Sequence, residues 1–480
     1  MHRDNLHREV LRTQGCLNTQ FKYDRNSRLQ HKQIRRNQNP ILPDILIERS
    51  YQYDNLDRLV SKKHSKHGQT DYRYDHTGRI EGCRNQRYWE TLQYDAAANL
   101  LDSKYREDYS NHNLIRCNQL LHFRGHHYRY DEHGRTASKQ TIGTTQHYHY
   151  DAEHRLSEVR IEQTGRSQRY GYVYDALGRR IEKHRLDREG KPCNRTTFLW
   201  DGLQMIQESG ADKRQSLYLY TDEGSYEPLA RIDRNGNQEQ HIYYFHTDLN
   251  GLPEELTDEA GEIVWECSYQ LWGKPIQEIA HTEIQQNLRY QGQYLDRETG
   301  LHYNTFRYYD PDTGRFTKPD PIGLNGGFNL YQYAPNGLTW IDPFGLSCGS
   351  ASGKYQPNNV LGRKVYKNTL DINPGTPKTV HPSVHPSIKS KVNEGWTNLD
   401  LMKNGYAPIG PDGKQMNLHH ILGKEPGPMV ELVSSTHKQY HKQIHGLIEN
   451  GGSFRNTSAL DRQYNKFRKE YWKLRALDFM

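Results

Sequence analysis

The chain lacks any apolar run long enough to cross a bilayer, and its opening residues, MHRDNLHREV, lack the hydrophobic core of a secretory signal. No integral membrane segment is expected, and export would need another route. Cysteine is scarce as well: Cys16, Cys83, Cys117, Cys193, Cys267 and Cys348 are dispersed with no Cys-x-x-Cys pair. That argues against a disulfide framework or a zinc ribbon and fits synthesis in a reducing cytosol. Hydrophobic residues make up only 33% of the chain and the mean hydropathy is -1.06, values that would mean disorder if aromatics were also few. They are not few. There are 35 tyrosines, and each can bury a ring while its hydroxyl keeps a partner, so an ordered, polar, β-rich body is expected.

Acidic residues run short in one region only. From Ser347 onward there are 19 Lys and Arg against 10 Asp and Glu, whereas the residues before it carry 46 against 48. The basic excess therefore belongs to the C-terminal segment, and a polyanion is its natural partner, because cations that bind phosphates release counterions.

The earlier part is repetitive. A Tyr-Asp unit starts at Tyr23, Tyr53, Tyr74, Tyr94, Tyr130, Tyr150 and Tyr174, at spacings of 30, 21, 20, 36, 20 and 24 residues. In each, an alternating aromatic strand ends at Tyr-Asp, a turn follows, and Arg-Leu or Arg-Ile commonly opens the return strand. Hairpins of this kind cannot bury their faces singly and should line up edge to edge in one long curved sheet. Tyr and Asp then serve turns and packing.

Met416 to Gly446 holds five histidines. His419 and His420 end an apolar-flanked run that reads as a strand, Met429 to Val433 reads as its hairpin partner after the Gly427-Pro428 breaker, and Ser434 or Ser435 can cap a helix. On that helix His437, His441 and His445 lie four residues apart, on one face. One strand histidine and two helix histidines can give a divalent ion three nitrogen ligands, leaving the other strand histidine as a base.

This stretch resembles the HNH, or ββα-metal, nucleases, in particular the Leu-His-His group found at the C-termini of bacterial polymorphic toxins. The resemblance implies His419, His437 and His441 as ligands of one divalent metal ion (Mg, Mn, Ni or Zn), with His445 as a further candidate, and His420 as general base. The segment where many relatives carry an orienting Asn reads Gly427-Pro428-Met429-Val430-Glu431, which leaves a backbone carbonyl or Glu431 to orient the base. The Tyr-Asp units are similar to the YD repeats of Rhs and teneurin-like proteins. Gln291 to Leu346, ending in Asp342-Pro343-Phe344-Gly345-Leu346, is similar to the Rhs-associated core. Members of that family cut themselves after this Leu by an aspartyl mechanism, which here implies the Leu346-Ser347 bond with Asp320 and Asp342 as the carboxylates.

The expected architecture is mostly β, a curved Rhs-type sheet or shell fragment, followed by a small α+β nuclease domain of ββα-metal type. Its parts are a YD repeat region at 1-286, an Rhs-associated core at 287-346, a linker at 347-359 and the nuclease at 360-480. Lys438, Lys442, Lys466, Lys469 and Lys473, with Arg462 and Arg468, are candidate phosphate contacts. The family implies a toxin made in the bacterial cytoplasm and delivered into a competing cell by secretion machinery, where it degrades DNA, with a cognate immunity protein protecting the producer. Two alternatives stand beside it: a ribonuclease, and a non-enzymatic surface or adhesion protein whose histidines sequester metal.

Overall fold

The computed structural model describes every residue except 7, 37-43, 96, 102-114, 223, 238, 324-328, 347-348, 351-355, 368-371, 378, 421-424, 428, 440-452 and 480. The chain divides into two compact units, one of Met1–Arg3 with Glu9–Ser352 and one of Asp4–Arg8 with Gly353–Met480.

In the first unit the repeat has a stereochemical cause. At Tyr53-Asp54, Asp54 Oδ1 accepts from the amides of Leu56 and Arg58 at 2.9 and 3.0 Å, and Oδ2 accepts from Arg58 Nε at 2.7 Å. One carboxylate thus satisfies the turn and is neutralised by the arginine that opens the return strand. The residue before that arginine is left-handed, with φ of 62° at Asp57, 75° at Gly134 and 79° at Gly178, which is why glycine recurs there. The tyrosine hooks backwards: its hydroxyl donates to a carbonyl of an earlier strand, Tyr53 to Leu29 at 2.8 Å, Tyr74 to Leu59 at 2.7 Å and Tyr174 to Leu156 at 2.7 Å. The arginine hooks forwards, lying over the tyrosine of the next repeat, Arg28 over Tyr53 at 4.7 Å and Arg135 over Tyr150 at 4.7 Å.

Hairpins joined in this way run in sequence order as antiparallel meanders. One has nine strands, from His2 to Thr91, and another fifteen, from His122 to Ala280, with the two-stranded ladders Gln93–Tyr94/Leu100–Leu101 and Ile115–Arg116/Gln119–Leu120 between them in sequence, so the single expected sheet is four separate sheets among the described residues. A separate sheet of four strands, Tyr294–Asp296, Leu301–Asn304, Arg307–Asp310 and Arg315–Phe316, is buried along its whole length. Its carboxylates need buried cations. Arg180 donates to Asp296 at 2.6 and 3.0 Å, both side chains being 0% exposed, and Lys139 meets Asp310 at 2.8 Å. Both cations come from repeat strands, so the repeats fix the seat of this sheet.

The second unit has a four-stranded sheet ordered Gln356–Val360, Arg363–Lys367, Met429–Leu432, Asn417–His420, with the middle pair parallel. Helix Ser458–Leu477 packs Tyr464, Phe467, Tyr471 and Trp472 against Val365, Leu418 and Met429. On the same helix Trp472 and Ala476 are buried, whereas Leu474 is 40% exposed. The segment expected as a linker holds Gly349–Ser350, paired with Trp340–Ile341, and strand Gln356–Val360. The 360-404 segment holds strand Arg363–Lys367, helix Pro386–Asn393 and helix Asn398–Lys403, the last with a capping box between Thr397 and Asp400. With two apolar residues among five, Arg-Lys-Val-Tyr-Lys is too polar to read as a strand on pattern alone.

Replacing Arg180 by Met should destabilise the first unit by about 3–5 kcal/mol, because Asp296 is left buried without its cation. Denaturant unfolding of the full chain checks this, and the double variant Arg180→Met/Asp296→Leu should recover most of the loss.

Candidate active site

Strand Asn417–His420 pairs antiparallel with Met429–Leu432, His419 opposite Val430 and His420 opposite Met429, and forms one edge of the sheet. Helix Ser434–Gln439 starts directly after the hairpin. Its first turn is capped from outside, Asp412 Oδ2 accepting from the Ser435 amide at 2.7 Å, where Ser434 or Ser435 was the expected cap. Because side chains alternate across a strand, the adjacent histidines turn to opposite faces.

His419 turns to the helix. Its Nδ1 lies 3.1 Å from His437 Nε2, with ring centroids 4.9 Å apart. Two nitrogens each held about 2.0–2.1 Å from one tetrahedral ion lie about 3.3 Å apart, so this pair fits a shared divalent ion, and imidazole donors suit Zn or Ni. His441, His445 and Lys442 fall outside the described residues.

His420 turns to an aromatic pocket, its ring 4.5 Å from that of Phe454 and 4.9 Å from that of Tyr464. Its Nε2 is 2.5 Å from Glu425 Oε2. Burial pushes the imidazole below its ordinary 6.5, against the opposing pull of Glu425. The ring is therefore neutral near pH 7. Nε2–H donating to the carboxylate leaves Nδ1 with the lone pair a base needs.

Glu431, the sequence candidate for orienting the base, is engaged elsewhere: Arg475 Nε donates to it at 2.8 Å and the Tyr471 hydroxyl at 2.7 Å. Glu425 holds the base instead. It is one of two carboxylates between Met416 and Gly446, and it was missed because it lies in the loop rather than on the second strand.

The expected phosphate contacts are scattered. Lys438 is exposed on the helix of His437. Lys466 lies about 200° around its helix from Tyr464, Lys469 packs over Gly405, and Lys473 pairs with Glu470 at 3.0 Å. On the Tyr464 side, Arg455 and Arg468 lie 5.0 and 5.6 Å from that ring.

In the first unit Asp320 and Asp342 do converge, but on a cation. Arg307 Nη2 is 2.9 Å from Asp320 Oδ2 and 3.5 Å from Asp342 Oδ2, and its Nε donates to the Gly345 carbonyl. Burial raises the Asp320 pKa and Arg307 opposes this. Asp342 Oδ1 accepts from the Leu346 amide at 3.0 Å, while Ser347 lies outside the described residues. Gly345 needs its φ of 68°, and any Cβ there would meet the Asn304 carbonyl at 2.8 Å. The sequence motif is thus a turn wrapped on an arginine that the carboxylates share.

Among the described residues His64, His67 and Glu255 also offer three ligand atoms within 4.8 Å of one another. The Lys66 amide donates to His64 Nδ1 at 3.1 Å, which puts the ring proton on Nε2, where it bonds Glu255 Oε1 at 2.8 Å. Arg49 takes the other oxygen of Glu255. His64 and Glu255 thus belong to a buried hydrogen-bond network anchored on the Arg49–Glu255 ion pair.

The first 338 residues match the family model of the teneurin YD-shell. The chain belongs to that family. Residues 397–478 of this YD-shell chain match a nuclease of the HNH/ENDO VII superfamily with conserved LHH, so that stretch of the second unit is a nuclease domain of that class. Double-stranded DNA deaminase toxin A of Burkholderia cenocepacia is 38% identical over 71% of the chain, which spans 25% of that relative. The probable deoxyribonuclease RhsA of Dickeya dadantii is 28% identical over 61% of the chain and 20% of the relative. The tRNA nuclease WapA of Bacillus subtilis is 28% identical over 59% and 11%. The TcdB2-TccC3 crystal structure, 18% identical, superposes on 71% of the chain and 19% of its own with a TM-score of 0.54. The YD-shell chain spans a quarter or less of these relatives.

With His420 titrating below 6.5, activity should rise with pH through a value under 6.5 and be level at neutrality. Glu425→Gln removes the group that pulls this value up, so the acid limb should move to lower pH while the plateau falls about 10–100-fold. A pH–rate profile on both proteins checks the two effects together.

Proposed function

We propose that the second unit is a metal-dependent endonuclease that hydrolyses phosphodiester bonds of DNA, carried by an Rhs-type shell fragment. The observation that carries this is the pairing, at one strand end, of a histidine bonded to a buried carboxylate with a histidine whose nitrogen faces that of His437. His420 Nδ1 takes a proton from a water aimed at phosphorus, and Glu425 steadies the imidazolium that results. His419 and His437, with His441, would hold a divalent ion that supplies charge neutralisation at the phosphate and the leaving oxygen. Lys438, Arg455 and Arg468 border the site and suit a polyanion.

DNA is favoured over RNA because this chemistry needs no ribose 2′-hydroxyl. The use of such a domain is attack on a competing bacterium after delivery, with a cognate immunity protein in the producer. Asp320 and Asp342 are proposed to cut the Leu346-Ser347 bond, with Arg307 holding both carboxylates and the Gly345 carbonyl.

Purified full chain should nick supercoiled plasmid with Mg²⁺, Mn²⁺, Ni²⁺ or Zn²⁺, and His420→Ala should lose about 10²–10⁴-fold in rate while still binding metal. Cleavage of total RNA with plasmid left intact would turn the reading to a ribonuclease, and cleavage of neither by folded protein would favour a metal-binding surface protein. Intact-mass measurement should show a break after Leu346 in the wild type and an unbroken chain in Asp320→Asn and Asp342→Asn.

A further inference from the structure

Glu425 has both oxygens committed. Arg363 Nη1 donates to Oε2 at 2.8 Å and Nη2 to Oε1 at 2.5 Å, the forked geometry that arginine alone provides, and the carboxylate is 0% exposed. The guanidinium is itself fixed, lying 4.2 Å from the Phe467 ring centroid. Arg363 opens strand Arg363–Lys367, which pairs parallel with Met429–Leu432. It lies outside residues 397–478, the span matched by the nuclease family.

We propose that Arg363 is a positioning residue for the base: it fixes which nitrogen of His420 carries the proton. The inference rests on the nuclease reading above and deepens it. Glu425 Oε2 accepts at once from Arg363 Nη1 and from His420 Nε2. While the guanidinium is in place the carboxylate can only accept, so the imidazole proton sits on Nε2 and Nδ1 keeps its lone pair. Without the fork Oε2 is no longer held on Nε2, the imidazole proton can move to Nδ1, and the nitrogen that takes a proton from water is then blocked. The catalytic unit accordingly starts at strand Arg363–Lys367, ahead of the family span.

The test uses the full chain, with ¹⁵N-labelled histidine, as wild type, Arg363→Met and Arg363→Lys. Metal-free NMR should show His420 as the Nε2–H tautomer in the wild type and lose that signature in Arg363→Met. With metal and plasmid, Arg363→Met should lower kcat about 10–100-fold with KM little changed. Arg363→Lys, which keeps the charge and loses the fork, should fall between and guards against a folding defect in the Met variant. In a Glu425→Gln background the Met substitution should cost no more, since the group it acts through is gone.

An unchanged tautomer together with a raised KM and a shallower salt dependence of DNA binding would overturn the proposal and make Arg363 a phosphate contact. Wild-type rates in a folded Arg363→Met would overturn it too. Absence of cleavage by the wild type with the Nε2–H tautomer present and lost in Arg363→Met would instead sink the nuclease reading, overturn the role of Arg363 in catalysis with it, and leave only its control of the His420 tautomer.

Discussion

A β-hairpin with a polar sequence cannot bury either face alone, and the first unit is built around that constraint. The Asp of each YD unit spends its carboxylate on the turn and on the following arginine. The tyrosine reaches back to a carbonyl of an earlier strand, and the arginine reaches forward over the next tyrosine. A hairpin so equipped is satisfied only between two others like it. The same economy places charge inside. Arg180 and Lys139 project from repeat strands to meet Asp296 and Asp310, and Arg49 meets Glu255. Such buried pairs add little net stability, yet a lone partner is costly, so they select one arrangement over others.

The second unit uses a buried charge for chemistry. Glu425 is enclosed, and its contact with His420 settles the role of each imidazole nitrogen. The two histidines are neighbours on one strand, and the pleat gives them different jobs: His419 faces His437 and His420 faces the carboxylate and the rings of Phe454 and Tyr464. The arrangement depends on a long-range pairing, because Arg363 comes from a strand sixty residues earlier.

Much of this was legible in the sequence. The repeat period gave the meander, since Tyr, Asp and Arg at fixed offsets leave one way to close a turn. Leu418-His419-His420 followed by Gly-Pro and a serine-started helix gave the hairpin and the helix. Contacts made across long separations were not legible. Nothing local marks Glu425 as the partner of His420, or Arg307 as the cation between Asp320 and Asp342. Strand Arg363–Lys367 is too polar to declare itself and becomes a strand only by pairing with Met429–Leu432. The lysines of the last helix look alike in sequence, whereas helical rotation turns Lys466 away from the base and Arg468 towards its side.

The division of labour between the adjacent histidines is tested most directly by anomalous diffraction from crystals of the full chain grown with Mn²⁺ or Zn²⁺. The expected result is one ion bound by His419 Nδ1 and His437 Nε2, with His420 Nε2 still on Glu425 and its Nδ1 free of the metal. An ion held by His420, or found only among His64, His67 and Glu255, would contradict it.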